Sequence, residues 1–113
     1  MEHNVHKAFR MVALSLPGMI ESVSYGTSSF KLKDKLLARF HEDGESLVLK
    51  MDFETRDFLL QVNSETYFIT DHYKNYPYVL VRLNEVHLEE LRGHLLKIWK
   101  SHAPKKLLAQ LEI

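Results

Sequence analysis

Cysteine is absent from this 113-residue sequence. Its absence excludes a disulfide framework, a metal site built on thiolates and a cysteine nucleophile. Proline and glycine are scarce, with three and four copies, and no segment has the composition of a linker or an internal repeat. The composition therefore predicts one domain over residues 1–113, a size at which folding buries roughly two-thirds of the unfolded surface.

Long hydrophobic runs are missing as well. The longest, such as Met11–Leu14 and Tyr78–Val81, are only a few residues long. A transmembrane helix needs about 20 apolar residues, and no signal-peptide pattern opens the chain. These observations predict a cytoplasmic protein without a membrane partner.

The chain has no excess charge of either sign, because fifteen basic residues balance fifteen acidic ones. A dedicated nucleic-acid-binding protein often carries a strong positive excess. Locally the balance is uneven, since four basic residues stand against Asp34 alone between Lys31 and Arg39. Five more stand without an acid between Leu91 and Leu111. Solvation of hairpins and helix ends accounts for such residues, and phosphate binding is the other interpretation.

Apolar residues at helical spacing predict helices near both ends of the chain, over residues 5–16 and 88–99. The second segment has acidic residues in its first turn and lysines near its end, which suits the helix dipole. Asp52 is the expected N-cap of a short helix in which Phe53 is predicted to be buried. Pro104 suits the first turn of a terminal helix.

Alternating apolar and polar residues predict an antiparallel sheet, preceded by a loop at residues 21–29. The predicted strands lie at about 29–33, 36–41, 46–51, 66–70 and 78–83, with a loop at 71–76 between the last two. The predicted core consists of Phe9, Val12, Leu16, Phe40, Leu49, Val79, Val81, Leu95 and Trp99.

The first predicted hairpin separates an apolar face from a basic one. We expect Phe30, Leu32, Leu36, Ala38 and Phe40 on the core side. The solvent side is predicted to carry Lys31, Lys33, Leu37, Arg39 and His41, with Lys35 near the tip.

Catalytic and metal-binding motifs are not recognisable in the sequence. His87, Glu90 and His94 have the spacing i, i+3, i+7, but helical zinc motifs use other spacings. There is no Gly-x-Ser-x-Gly elbow and no glycine-rich phosphate loop. We therefore expect a non-enzymatic protein with no cofactor and no bound metal.

Tyrosines are concentrated in one segment, where Tyr73, Tyr76 and Tyr78 follow one another closely. Aromatic side chains beside lysine and arginine can stack on unpaired bases. A tyrosine with a hydrogen-bonded hydroxyl is equally a normal cover for a sheet edge. The sequence leaves both interpretations open.

Several segments, taken in order, resemble the MmcQ/YjbR-like family from about Ala13 to Leu107. They are "LSLPG", "ES-S-GT--FK", "LLARFHEDGESLVLK", "TDHYKNYPYVLVRL" and "LRGHLLKIWKSHAPKKL". Within them, His72, Tyr73, Tyr76 and Pro77 match the family's "HY-x-x-YP" signature. One departure is Ser28, which follows Gly26-Thr27 where relatives usually have proline.

The resemblance implies a two-layer α+β fold similar to bacterial frataxin, with helices packed on one antiparallel sheet. The element order α-β-β-β-α-β-β-α-α, read from the residues, is compatible with that fold. The resemblance also implies DNA binding, because the family is commonly described as using a "double wing" of projecting hairpins.

Two sets of candidate site residues follow. The predicted contacts to DNA phosphates are Lys31, Lys33, Lys35, Arg39 and Lys74, with Lys105 and Lys106 as additional candidates. The alternative is an interaction module that binds a protein or a small ligand through residues 71–78. Its predicted pocket consists of Tyr25, Gly26, Thr27, His72, Tyr73 and Tyr76. The oligomeric state is left open.

Overall fold

A computed structural model describes residues 2–111. Its helices are α1 (Glu2–Leu14), α2 (Phe53–Val62), α3 (Leu88–His102) and α4 (Lys105–Leu111). Its strands are β1 (Met19–Ser24), β2 (Thr27–Leu32), β3 (Lys35–Phe40), β4 (Ser46–Lys50), β5 (Tyr67–Phe68) and β6 (Tyr78–Arg82). A single 3-10 turn, Asp71–Tyr73, lies between β5 and β6.

The six strands form one antiparallel sheet in the order β1-β2-β3-β4-β6-β5. This arrangement confirms the predicted α+β fold and adds one strand to the expected order. None of the helices within residues 2–111 is long and apolar enough to cross a membrane.

The predicted loop at 21–29 is wrong, because these residues belong to the β1–β2 hairpin. Its turn is the pair Tyr25-Gly26, and both residues have positive φ, 54° and 81°. Positive φ at both central residues matches the twist of the flanking strands. The hairpin escaped prediction because β1 is an edge strand in which the apolar residues Ile20 and Val23 are exposed.

A β-bulge makes the faces of β3 differ from the prediction. The register between β2 and β3 shifts at Phe30/Lys31, where Phe30 pairs with Ala38 and Lys31 pairs with Leu36. Leu37 is the extra residue, and it lies with Ala38 in the hydrophobic core. The bulge reverses the alternation, so Leu36 takes the opposite face and Leu37 is buried rather than exposed.

The face of the sheet that meets α1 and α3 carries the main core. Phe9 packs edge-to-face against Phe30 and Phe40, with ring centroids 5.5 and 6.0 Å apart. Trp99 is fully buried, and its Nε1 donates to the carbonyl of Pro17 at 3.0 Å. The predicted core is therefore largely confirmed, although Val12 and Phe40 are only partly buried.

Two smaller differences from the sequence expectations concern α2 and β5. Asp52 caps α2 as predicted, accepting a hydrogen bond from the Thr55 N–H at 2.9 Å. Phe53 is 44% exposed instead of buried, because it occupies the solvent side of the first turn. The strand expected at 66–70 is only Tyr67–Phe68, since the 3-10 turn follows soon after it.

We call the side of the sheet away from α1 and α3 the outer face. Its central residues Val48 and Leu80 are paired across β4 and β6 and are fully buried. Tyr73 packs against both and forms a second, smaller hydrophobic cluster. The segment between β5 and β6 thus covers the middle of the outer face.

Candidate functional site

Tyr73 ties the tyrosine-rich segment to the sheet. Its side chain is 6% exposed, and its backbone N–H donates to the carbonyl of Thr70 at 3.1 Å within the 3-10 turn. Packing on Val48 and Leu80 fixes the ring. For this tyrosine the packing interpretation of the sequence is correct.

Arg39 lies beneath this segment and is 2% exposed. Its Nε and Nη2 donate to the Tyr73 hydroxyl at 3.1 and 2.8 Å. Its Nη1 donates to Thr27 Oγ1 at 3.2 Å and to the Phe40 carbonyl at 3.3 Å. Nη2 also forms an ion pair with Glu42 at 2.9 Å.

The prediction that Arg39 is exposed on a basic face is therefore wrong. Burial alone would lower the pKa of Arg39, but hydrogen bonds to Tyr73 and Glu42 outweigh it and raise the pKa. The guanidinium stays charged, and its donors are used within the protein. A buried and hydrogen-bonded guanidinium of this kind organises its surroundings.

Arg56 of α2 holds the same segment from its other side. Its Nη1 donates to the carbonyl oxygens of Tyr73, Lys74 and Tyr76, at 3.3, 3.2 and 3.0 Å. These three contacts fix the backbone that presents the tyrosines. Sequence reasoning missed Arg56, because an arginine between Thr55 and Asp57 resembles an ordinary solvated helix residue.

Tyr25 projects from the β1–β2 turn over Arg39. The guanidinium carbon of Arg39 lies 4.9 Å from the Tyr25 ring centroid, yet the tyrosine is 73% exposed. Gly26 completes the turn, and a Cβ at its position would meet no atom within 4 Å. Glycine is therefore favoured at this position by the positive φ and not by a lack of space for a side chain. Thr27 contributes the oxygen that Arg39 binds and donates to the Ser24 carbonyl at 3.2 Å.

His72 and Tyr76 are the exposed members of the tyrosine-rich segment. Tyr76 is 56% exposed, and the His72 ring lies 4.6 Å from the Tyr73 ring in an edge-on arrangement. Together with Tyr25 they border an open depression, which we call the aromatic groove. It is lined by Tyr25, Leu36, His72, Tyr73, Tyr76 and Tyr78.

The predicted pocket residues are thus brought together. Tyr25, His72, Tyr73 and Tyr76 line the groove directly, whereas Gly26 and Thr27 support it from the turn. The groove continues past Tyr25 and Tyr73 towards Arg39, His41 and Glu42.

The predicted lysines do not share one face. Lys31 pairs with Leu36 on the outer face and is half-buried, whereas Lys33 is exposed in the β2–β3 turn at φ 57°. Lys35 pairs with Leu32, a core residue on the helix side. The bulge and the tight turn cause this division. All three still lie at one end of the sheet, around the β2–β3 turn.

Lys50 is a further cation at this end that the sequence did not single out. Its Nζ lies 4.9 Å from the ring centroid of Tyr78, a residue of the groove. Burial and the nearby charge of Lys35 lower the pKa of Lys50. The aromatic groove therefore ends beside Lys31 and Lys50, and Lys35 lies near Lys50 on the helix side. Lys74, the remaining predicted cation, is exposed within the tyrosine-rich segment.

The other candidates lie in the helix layer. Lys105 and Lys106 are exposed at the start of α4. Glu90 and His94 both contact the Tyr67 hydroxyl, with a Tyr67–His94 distance of 2.9 Å, and His87 precedes α3. Across the residues that the structure describes, no group of three His, Cys, Asp or Glu side chains is placed to hold a metal ion.

Comparison with known proteins agrees with this architecture. A family model described as YjbR matches residues 14–101. The crystal structure of Deinococcus radiodurans protein DR2400, which carries a DUF419 domain, is similar with a TM-score of 0.71 and 24% identity. The match covers 96% of this chain and 88% of that one.

Curated relatives match over a shorter segment. Uncharacterized protein Rv2570 of Mycobacterium tuberculosis and Uncharacterized protein Mb2600 of Mycobacterium bovis are each 43% identical over 42 residues. That segment is 37% of this chain and 33% of each relative. The chain thus spans about a third of the length of these relatives.

Proposed function

The chain belongs to the YjbR family, and from that premise we propose that it binds DNA through the outer face and the β2–β3 turn. The observation that carries the proposal is the continuity between two features. The aromatic groove, with exposed Tyr25 and Tyr76, ends beside Lys31 and Lys50, close to the β2–β3 turn that carries Lys33 and Lys35.

The lysines of the turn are suited to phosphates. The side chains of Lys31, Lys33 and Lys35 make no hydrogen bond or ion pair with the residues that the structure describes. Their ammonium groups are therefore available to neutralise phosphates without disturbing the core. Asp34 is the acid within the turn itself, so the local balance is positive.

Arg39 acts indirectly in this proposal. Its guanidinium is committed to Tyr73, Thr27 and Glu42. Its contribution is to hold the groove in shape, while Lys74 and the turn lysines contact the phosphate backbone.

The test is DNA binding measured by fluorescence anisotropy on a labelled duplex of about 20 base pairs at several salt concentrations. The change is Lys31→Ala, Lys33→Ala and Lys35→Ala in one protein. Each lost phosphate contact is expected to flatten the slope of log affinity against log salt by about 0.9. Because phosphate contacts carry no sequence information, the affinity is expected to fall equally for duplexes of any sequence.

The matched control removes three cations elsewhere, with Lys7→Ala, Arg92→Ala and Lys100→Ala. These residues are exposed on α1 and α3 in the helix layer. The control variant is expected to bind as the parent does. Equal losses in both variants would show nonspecific charge attraction, and absence of binding at about 20 mM salt would refute binding to duplex DNA.

The exposure of Tyr76 and His72 favours a second candidate, an interaction module that takes a protein or a small ligand in the aromatic groove. Aromatic side chains presented on a fixed backbone suit such contacts. This candidate replaces the first if the lysine variant behaves as the parent with every DNA tested while Tyr76→Ala abolishes binding of another partner.

A further inference from the structure

We infer that the aromatic groove takes an unpaired nucleobase, so that the protein prefers single-stranded DNA to a duplex. The inference rests on the proposed function and names the form of DNA that the same site recognises. Two exposed rings, Tyr25 and Tyr76, border the groove. In a duplex the faces of the bases are covered by stacking, whereas an unpaired base offers its face to such rings.

The conformation of Tyr25 is the first argument. Tyr25 has a φ of 54° in the β1–β2 turn, a region where asparagine and glycine are favoured and a bulky side chain is strained. A large aromatic ring at this position, 73% exposed, gives the fold little buried surface in return for the strain. A role in binding explains why the ring is there.

The support beneath the groove is the second argument. Arg39 lies 4.9 Å from the Tyr25 ring and is itself fixed by the Tyr73 hydroxyl. Arg56 fixes the backbone that carries Tyr76. The Tyr25 ring therefore packs on one buried, hydrogen-bonded arginine, and the backbone that carries Tyr76 is held by another. This support lowers the entropy lost when a base stacks on the two rings.

The position of the cations is the third argument. Leu36 lines the groove and pairs with Lys31 on the neighbouring strand. At the same end of the groove, Lys50 lies against Tyr78. A strand whose base occupies the groove therefore passes its adjacent phosphates close to these ammonium groups. An aromatic surface followed by a cationic track is the combination that single strands require.

The probes for the test are three labelled DNAs compared at one salt concentration. They are an oligothymidylate of about 12 nucleotides, an abasic strand with the same number of phosphates, and a matching duplex. We expect the oligothymidylate to bind at least about tenfold more tightly than either of the others, because stacking adds to the phosphate contacts.

The decisive variant is Tyr25→Asn, because asparagine tolerates positive φ. Removing the ring is expected to weaken oligothymidylate binding by roughly 5- to 150-fold, the equivalent of one stacked base. Its thermal midpoint is expected to equal or exceed that of the parent. Tyr76→Ala is expected to weaken oligothymidylate binding similarly, while Tyr25→Phe and Tyr76→Phe keep the ring and bind within about threefold of the parent.

The outcomes separate this inference from DNA binding itself. If the duplex and the abasic strand bind as well as oligothymidylate, and Tyr25→Asn changes nothing, stacking is refuted while DNA binding stands. If none of the three DNAs binds at about 20 mM salt, both proposals are refuted. If Tyr25→Asn lowers the affinity for oligothymidylate and leaves the affinities for the abasic strand and the duplex unchanged, the result supports a site for an unpaired base.

Discussion

At the scale of single residues, the contact between Tyr73 and Arg39 organises the outer face. One hydroxyl accepts two guanidinium hydrogen bonds, at 3.1 and 2.8 Å, in a buried setting. Removing that oxygen leaves buried N–H donors without a partner. An unpaired buried donor costs more free energy than the original hydrogen bond contributed to stability. The pair therefore affects stability as well as the shape of the groove.

Tyr73→Phe is expected to lower the free energy of unfolding by about 1–3 kcal/mol, measured by urea denaturation. Tyr76→Phe is the matched control, since Tyr76 is 56% exposed, and its effect is expected to stay within about 0.5 kcal/mol. Equal effects of the two substitutions would contradict the role of the Tyr73 hydroxyl.

A double-mutant cycle isolates the pair. Arg39→Met keeps a long, unbranched side chain and removes the buried guanidinium donors. In that background Tyr73→Phe is expected to lower the free energy of unfolding by about 1 kcal/mol less than in the parent. The reason is that no buried guanidinium remains to lose its hydrogen-bond partner. An unchanged cost would show that the hydroxyl acts through packing or through another contact.

At the scale of secondary-structure elements, α2 begins with a side-chain cap whose effect is separable from the groove. Asp52 accepts hydrogen bonds from the Thr55 N–H and the Thr55 hydroxyl, both at 2.9 Å. These hydrogen bonds lower the pKa of Asp52. A carboxyl whose pKa is lowered by folding stabilises the fold above its unfolded pKa, and that contribution is lost as the pH falls through the folded pKa.

Asp52→Ala is therefore expected to cost about 1 kcal/mol of unfolding free energy at neutral pH and less in acid. Asp52→Asn is the control, because asparagine caps helices about as well without a titrating group. The measurement is urea denaturation at about pH 7 and about pH 3. A cost of Asp52→Ala that does not shrink in acid would contradict the assignment of the cap.

The strands show how far the sequence pattern predicts an element. β4 and β6 were predictable because their alternate residues Leu49, Val79 and Val81 lie in one core. β1 has no such signal, since exposed Ile20 and buried Met19 are both apolar. The bulge in β3 was equally invisible, because it exchanges two neighbouring leucines that any alternation rule treats alike.

The site was predictable in its composition and not in its geometry. The tyrosine-rich segment and the β2–β3 lysines stand out in the chain as local clusters. The contact between Arg39 and Tyr73 joins positions 34 residues apart, and Arg56 reaches Tyr76 across 20 residues. Periodicity describes which face a residue occupies and carries no information on which distant segment will cover that face.

At the scale of the whole molecule, one polar cluster connects the two layers. The Tyr67 hydroxyl of β5 donates to Glu90 of α3 and lies 2.9 Å from His94 Nε2. Burial and hydrogen bonding to Glu90 raise the pKa of Tyr67, so the phenol remains protonated. With its proton donated to Glu90, the phenol oxygen accepts a hydrogen bond from His94 in its neutral Nε2–H form.

His94, which lies between the sheet and the helix layer, makes the stability of the fold depend on pH. Burial lowers the pKa of His94, and the charge of Lys97 lowers it further, against an opposing effect of Glu90. A histidine whose folded pKa is below its unfolded pKa stabilises the fold fully above the unfolded value of about 6.5. That contribution is lost as the pH falls from there towards the folded pKa, because the unfolded chain binds the proton more readily.

The parent protein is therefore expected to lose unfolding free energy as the pH is lowered from about 7 to about 5, a window above most carboxyl titrations. His94→Gln keeps a polar side chain, removes the titration and is expected to flatten this part of the profile. His102→Gln is the informative comparison, since burial also lowers the pKa of His102, with Lys35 and Lys50 adding to the effect. The two variants together are expected to remove more of the pH dependence than either alone, because the residues lie in separate environments. A profile that stays equally steep in His94→Gln would contradict a buried neutral His94 between the layers.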